Sequence, residues 1–383
     1  MKPAGMSRGD KFLLYVCLLI LFIGFFILPF IPKIWFKIVG PQNKTLVGEG
    51  FLLKSSLPMP SDKFQGSIEI KTIQVGKYDS SADREIVILA DNQCLIFDEK
   101  THKLKKTIMF KKRMGIRPEL IKIKKDGSLE IMRRGGGFGD IGLTGTDGEF
   151  IWKYKQVGTS PYMAAGDLDG DGHLEFYVAD YDGVHRLDYS GREIWRTYDG
   201  VWEEHIQTCN VGGSKTSLII TSGNRGMIRI RNYSGKLIKE MTPKMEVYSF
   251  EVVKWPDNCH ILTNDGNRII VIDLDGKIIL QYEYEKEWFT KISFLRSSFE
   301  IFDIRGVPVK LDAKEEPYLA VITDFRSYIS RAMLNIFSPS GKLVYQELLN
   351  STRAISAIDN PDGSQGLIVG DGPQNVWIYD KKK

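Results

Sequence analysis

A polar turn ending in glycine, followed at once by a short apolar strand, recurs along this chain at a nearly constant interval. The copies read Gly148-Glu-Phe-Ile-Trp152, Gly191-Arg-Glu-Ile-Trp195, Gly235-Lys-Leu-Ile238, Gly276-Lys-Ile-Ile279 and Gly341-Lys-Leu-Val-Tyr345, with a weaker one at His102-Lys-Leu104. Successive intervals from His102 are 46, 43, 44, 41 and 65 residues. Another apolar strand precedes each turn. A unit of roughly 43 residues built only of strands and turns cannot bury both its faces alone. Stacked copies can, and the arrangement that stacks them is a β-propeller. The fold expected is therefore all-β, although 383 residues would by length alone suggest two or three domains.

The copies place blades at residues 66–108, 115–154, 160–198, 203–241, 247–282, 307–348 and 352–383, a seven-bladed β-propeller. Six or eight blades also accommodate the irregular interval, in which Trp288 to Gly306 is the expected insertion. The last copy ends at Val376-Trp-Ile-Tyr-Asp380 without a fourth strand. An N-terminal strand, from Gly66-Ser-Ile-Glu-Ile70 or Gly50-Phe-Leu-Leu53, is expected to complete it, since an open ring would present two unpaired apolar edges. Both chain ends would then lie on the membrane-facing side.

One inter-strand turn demands a particular chemistry: Gly166-Asp-Leu-Asp-Gly-Asp-Gly-His-Leu-Glu175. Carboxylates at Asp167, Asp169 and Asp171 alternate, Gly172 permits a sharp turn, and the carbonyl of His173 with the carboxylate of Glu175 can complete an oxygen cage for calcium. An EF-hand is excluded. Its twelfth loop position needs a bidentate Glu, and that position is Val178, inside an aromatic and β-branched run that reads as a strand. The loop resembles the calcium loop of FG-GAP and VCBS repeat propellers, the blade type of integrin α-subunit heads, in which Asp-x-Asp-x-Asp-Gly-x-x-Asp joins the first two strands of a blade. Glu175 stands where that pattern ends in Asp. The resemblance implies calcium as cofactor, with Asp167, Asp169, Asp171, His173 and Glu175 as ligands. The competing reading is an Asx-rich turn without metal. Equivalent turns are degraded: Gly76 to Glu85 keeps Asp79 and Asp83 as a weak second site, and Lys124 to Glu130 and Asp359 to Ser364 keep fragments.

Phe12 to Ile31 is a run of 20 residues without a charge, long enough to span the hydrocarbon core as one helix. Pro29, Pro32, Trp35 and Phe36 follow it where a signal peptide would have a small-residue cleavage site, so an uncleaved anchor is expected over residues 1–37. A linker over 38–62 and the propeller over 63–383 complete the expected domains. Lys2, Arg8 and Lys11 before the helix balance Lys33, Lys37 and Lys44 after it, so flanking charge does not orient it. A calcium loop without a sensor-like partner places the body outside the cytoplasm. Net charge is +4, from 52 basic and 48 acidic residues, which gives no polyanion-binding surface and no expectation of nucleic acid. Cys17 falls in the apolar run, and the odd number left, Cys94, Cys209 and Cys259, excludes an all-paired framework; the three read as small core residues.

Signatures of catalysis are sparse. The five histidines are scattered over four blades with no metal-ligand spacing, and no GxSxG elbow occurs. Glu203, Glu204 and His205 could do acid/base work around the axis, or form a solvated blade entrance. Arg133-Arg-Gly-Gly-Gly-Phe-Gly-Asp140 could cradle an anion, but lacks the Gly-Lys-Ser/Thr ending of a P-loop and reads as a loop. The leading expectation is a membrane-tethered, calcium-stabilised binding or scaffolding module for a protein or glycan partner. The alternatives are an extracytoplasmic hydrolase or lyase with acids at the axial pocket, and a structural subunit of an envelope complex.

Overall fold

The run Glu85-Ile-Val-Ile-Leu-Ala90 is buried at every position, and the equivalent Glu175-Phe-Tyr-Val-Ala-Asp180 and Cys259-His-Ile-Leu-Thr-Asn264 are buried throughout as well. Alternate residues of a strand point to opposite faces, so a strand without a polar face has protein on both sides. The computed structural model shows what lies there. It describes Tyr15, Val16 and residues 44–382, apart from 61–69, 79–82, 91–92, 112–117, 125–127, 134–140, 155–161, 199–202, 211–216, 224–225, 243–248, 256–257, 285–299, 327–330 and 373–374.

Two strands, β1 (Lys44–Val47) and β2 (Leu52–Ser56), precede the first blade. Blade 1 holds β3 (Ile70–Gly76), β4 (Glu85–Ala90), β5 (Gln93–Asp98) and β6 (Leu104–Met109). Blade 2 holds β7 (Pro118–Ile123), β8 (Leu129–Arg133), β9 (Gly142–Thr144) and β10 (Phe150–Lys153). Blade 3 is β11 (Tyr162–Gly166), β12 (Glu175–Asp180), β13 (Gly183–Leu187) and β14 (Glu193–Arg196). Blade 4 is β15 (Glu203–Asn210), β16 (Ser217–Gly223), β17 (Ile228–Asn232) and β18 (Leu237–Met241). Blade 5 is β19 (Phe250–Lys254), β20 (Cys259–Asn264), β21 (Arg268–Ile272) and β22 (Ile278–Glu283). Blade 6 is β23 (Glu300–Val309), β24 (Tyr318–Arg326), β25 (Arg331–Phe337) and β26 (Leu343–Asn350), with β1 as a fifth strand. Blade 7 is β27 (Ile355–Asp359), β28 (Gln365–Asp371) and β29 (Asn375–Lys381), completed by β2.

Every neighbouring pair of these antiparallel sheets shares an apolar cluster. In β4, Ile86 and Ile88 face blade 7 with Ile368, Val376 and Ile378, while Val87 and Leu89 face blade 2 with Leu120 and Ile131. In β12, Phe176 and Val178 face blade 2, and Tyr177 and Ala179 face blade 4. Clusters between blades 4 and 5, 5 and 6, and 6 and 7 finish the circuit. Each large aliphatic side chain buried this way contributes about 1.5–3 kcal/mol, which makes blade-to-blade packing the main stabilising term.

The recurring glycines serve the same packing. Gly191 has φ +82°, and a Cβ there would lie 2.5 Å from the Trp152 ring of the preceding blade. Trp152 also donates its Nε1–H to the Tyr189 carbonyl at 3.0 Å. Trp195 meets Gly235 in the same way, since a Cβ on that glycine would lie 2.9 Å from the indole. The Gly and Trp of the motif therefore belong to one contact made between successive blades.

Closure follows the second of the two expected routes. β2 pairs antiparallel with β29, Leu52 opposite Lys381 and Ser56 opposite Trp377, so the strand comes from the Gly50 region and not from Gly66 to Ile70. β1 and β2 lie in the stretch expected as a linker and belong to the ring. The chain runs into β1 with Lys44 opposite Leu348 and Val47 opposite Gln346, then turns at Gly48 and Gly50 into β2. Lys44 is therefore approached from one face of the ring, while Lys381 finishes on the other, beside Asp312 and Glu315. Lys44 and Lys381 do not share a face, because β1 and β2 together return the chain to the face on which β1 starts, whereas blade 7 stops after its third strand, which ends on the opposite face.

One expectation is adjusted. β23 begins at Glu300, so Glu300 to Gly306 is strand and not insertion, and part of the irregular interval is taken up by the 10-residue β23 and the 9-residue β24; residues 285–299 lie outside the described residues. Of the Phe12 to Ile31 segment only Tyr15 and Val16 are described. Among the described residues no helix is long and apolar enough to cross a membrane.

Candidate functional site: the Asp-rich loop of blade 3 and the axis

Gly166 pairs with Glu175, which closes the base of the Asp-rich loop between β11 and β12. Leu168 is buried in the cluster between blades 3 and 4, and this anchors the start of the loop. Gly170 and Gly172 take φ +77° and +85°, a region that costs an L-residue, and between them the loop doubles back. Both Asp167 oxygens accept backbone N–H groups, from Gly170 at 2.8 Å and Gly172 at 3.0 Å. Asp169 accepts from the Asp171 N–H at 3.3 Å, and Asp171 from the His173 N–H at 2.7 Å.

Asp167, Asp169 and Glu175 each offer an oxygen within 4.8 Å of the others. The Asp171 carboxylate is exposed and is not part of that cluster; the His173 side chain is exposed as well, its expected contribution being the backbone carbonyl. A side chain that the loop motif does not contain completes the arrangement. Arg186, on β13, reaches Asp169 Oδ2 at 2.5 Å and Glu175 Oε1 at 3.0 Å. Its hydrogen bond holds the Asp169 carboxyl below its ordinary range, whereas burial pushes Glu175 up despite the same guanidinium. Tyr177 donates to Glu175 Oε2 at 3.2 Å. The donors are all hard oxygens, which suits calcium, and Arg186 already supplies one positive charge to them. Pairing across a blade is set by strand register, so Arg186 carries no signal in the loop sequence.

A second cluster, at the other end of blade 3, has no motif to mark it in the sequence. Asp180, Asp182 and His185 bring ligand atoms within 4.8 Å of one another. His185 is fully buried, with Nε2 2.8 Å from Asp182 and Nδ1 2.8 Å from the Tyr154 hydroxyl and 3.2 Å from Glu193. Arg196 closes it through Glu193 at 2.5 Å.

The acid/base candidates are separately engaged. Glu203 is fully buried between Arg229 at 3.2 Å and Arg231 at 3.1 Å. A register shift between Glu203 and His205 breaks the alternation that would have aligned them. His205 packs on the rings of Tyr162 and Phe250, with centroids at 4.4 and 6.2 Å, and burial raises the Glu204 carboxyl above its ordinary range. None of the three lines the axial cavity of about 180 Å³, whose charged walls are Lys71, Glu119, Glu251, Arg305 and Arg353. Arg305 pairs there with Glu251, and Arg353 with Asp324 at 3.0 Å. Arg133 lies over the Phe150 ring at 4.9 Å; the rest of the Arg134 to Asp140 loop, and Asp79 of the weak second site, are outside the described residues.

Cys94, Cys209 and Cys259 are all buried in the core as expected, and two of them also pair. Cys209 on β15 and Cys259 on β20 form a disulfide between blades 4 and 5, with a Cα–Cα distance of 6.4 Å. The odd count hid this, because it rules out complete pairing but not one pair. Cys94 is buried, and burial raises its thiol pKa well above the ordinary range.

No family model matches the chain, and no curated protein matches it either. Solved structures share the architecture. The structure of BBS1N in complex with ARL6DN, soaked with mercury, superposes with a TM-score of 0.53 at 10% identity, covering 90% of this chain and 98% of that one. The lead-soaked structure of the same complex gives 0.55 at 11% identity, covering 83% and 94%. The WD40 domain of Neurospora crassa Pan2 gives 0.48 at 11% identity, covering 86% and 94%. At these identities the likeness establishes the propeller fold alone.

Proposed function

We propose that this chain is a membrane-tethered, extracytoplasmic propeller that holds a protein partner. The observation that carries the reading is the rim. Ile151, Ile194, Leu237, Ile238, Ile278 and Ile279 stand on the outer strands of four successive blades, each about half exposed. A run of aliphatic side chains around one arc marks an interaction surface more than a solvated one. Aliphatic chemistry favours a protein over a glycan, which takes aromatic platforms and polar flanks. The BBS1N structures, propellers crystallised in complex with another protein, supply a fold-level parallel. The axial cavity is small and its arginines are neutralised by carboxylates, which speaks for scaffold over hydrolase.

Export is supported by the Cys209–Cys259 disulfide, a bond that persists in oxidising compartments. The uncharged Phe12 to Ile31 segment supports tethering. Calcium at the blade 3 loop is supported by the convergence of Asp167, Asp169 and Glu175, with Asp171 and the His173 carbonyl available if the exposed side of the loop closes on the ion. The ion would staple the loop and do no chemistry.

The test is crosslinking in intact membranes followed by detergent solubilisation and mass spectrometry, alongside added protease. A partner crosslinked to the rim, with the body cleaved from outside, is the expected result. A chain recovered alone, or protected until lysis, sinks the reading.

A further inference from the structure

Blade 6 differs from its neighbours in carrying a fifth strand, and the start of the outer strand it joins has counterparts elsewhere. At the start of its outer strand stands Lys342-Leu343-Val344; blades 4 and 5 begin theirs with Lys236-Leu237-Ile238 and Lys277-Ile278-Ile279. On blade 6 the two aliphatic residues are half-buried: β1 pairs with Gln346 to Leu348 just beyond them, and its Leu46 packs with Leu343 on one apolar cluster. Gly48 crosses so tightly over this position that a Cβ would lie 2.2 Å from the Val344 carbonyl oxygen. On blades 4 and 5 the same positions are open, with Ile238 58% and Ile279 45% exposed. The outer edges of blades 1 and 3 are built differently. Blade 1 puts Lys105 and Lys106 after Leu104, charges of the kind that guard an edge strand, and blade 3 sets Ile194 beside Glu193, which is tied to Arg196.

We infer that the outer edges of blades 4 and 5, β18 and β22, accept an extended aliphatic segment of a partner protein as an added antiparallel strand, in the way that β26 accepts β1. The inference rests on the protein-binding reading above and assigns it a site and a binding mode. An outer strand offers a row of backbone N–H and C=O groups, which give a strand ligand its affinity, while side chains on alternate positions give specificity. The chemistry of the occupant follows from the one that is present: Thr45-Leu46-Val47 is β-branched and aliphatic. The surface is also continuous with an existing interface, since Leu46 of β1 packs on the cluster that contains Leu280 of β22. Lys236 and Lys277, both exposed, mark where the incoming segment would favour a carboxylate.

The probe is a synthetic peptide copying residues 43–49, added to the detergent-solubilised full chain, with amide hydrogen exchange read by mass spectrometry. The expected result is at least tenfold slower exchange in 237–241 and 278–283 at millimolar peptide. The slowing should vanish in the double variant Ile238→Asp/Ile279→Asp, whose melting temperature should fall by only a few degrees because both side chains are about half exposed. The same peptide N-methylated at alternate amides should leave the wild-type chain unprotected, a control that needs no variant. No slowing at either edge, equal slowing in the double variant, equal binding of the methylated peptide, or slowing confined to 343–350 would each overturn the inference. A partner crosslinked elsewhere on the ring, with both edges still exchanging freely, would also overturn it and leave the protein-binding reading standing. Protected edges in a chain that crosslinks to nothing in membranes would support the site and remove that reading.

Discussion

Gly191 and Trp152 show how much a single position can decide. The glycine has a positive φ and a neighbouring ring in the place of its missing side chain. Gly191→Ala should therefore cost about 2–4 kcal/mol, the left-handed conformation and the clash each contributing. Chemical denaturation of the solubilised chain would measure it, and a change under about 0.5 kcal/mol, the range of an ordinary surface substitution, would show that the Trp152 contact is dispensable. His260 sets a pH dependence. Burial pushes its pKa below the ordinary 6.5, and its contacts with the Asn258 carbonyl and Asp273 offset this only in part. The unfolded chain then binds the proton first, so the folded state loses stability as pH falls below about 6.5. His260→Gln should flatten the melting temperature between pH 7 and 5, and an unchanged slope would assign the dependence to other groups. Neither effect can be read from residue type. A histidine in an apolar strand gives no hint of its protonation, whereas the glycine and tryptophan recur visibly and only their being partners across blades was hidden.

The Asp-rich loop is the element whose position was most legible, and also the one to which the fold added most. Asp167, Asp169 and Glu175 converge as the spacing implies, but Asp171 turns outward and Arg186 enters from β13. Calcium at a hundredfold excess over its dissociation constant should add about 2.7 kcal/mol, lost again in chelator and in Asp167→Ala. Arg186→Gln separates the two sources of charge. It should weaken the calcium-free loop and enlarge the calcium effect, whereas a melting curve indifferent to calcium in both proteins would leave Arg186 as the sole counter-charge. The disulfide belongs to the same scale, because it joins two elements 50 residues apart in sequence. By loop-closure entropy, Cys209→Ser/Cys259→Ser should cost up to about 4 kcal/mol, seen as a lower denaturation midpoint, and no loss would mean that packing of blades 4 and 5 is sufficient.

For the whole molecule, closure decides whether the repeats make a ring. Apolar clusters join every neighbouring pair of blades, and the one between blades 6 and 7 includes Leu52 from the strap. Lys54 ties the strap to both blades it crosses, through Glu347 at 2.6 Å and over the Trp377 ring at 4.2 Å. Removing residues 44–56 from the solubilised chain should uncover the edges of β26 and β29 and yield aggregates in size-exclusion chromatography; a monomeric product would show that the seven blades hold without it. The sequence by itself determined the all-β architecture, the blade spacing, the short last blade and the position of the acid loop, because each is a local pattern of strand period, turn glycine or carboxylate spacing. Only the tertiary structure decided that the closing strand is Leu52–Ser56, that Cys209 meets Cys259, that Arg186 enters the acid loop and that Glu203 is neutralised by two arginines. Each of those depends on which residues of separate strands or blades come face to face, and that is set by register and packing between segments that no local pattern connects.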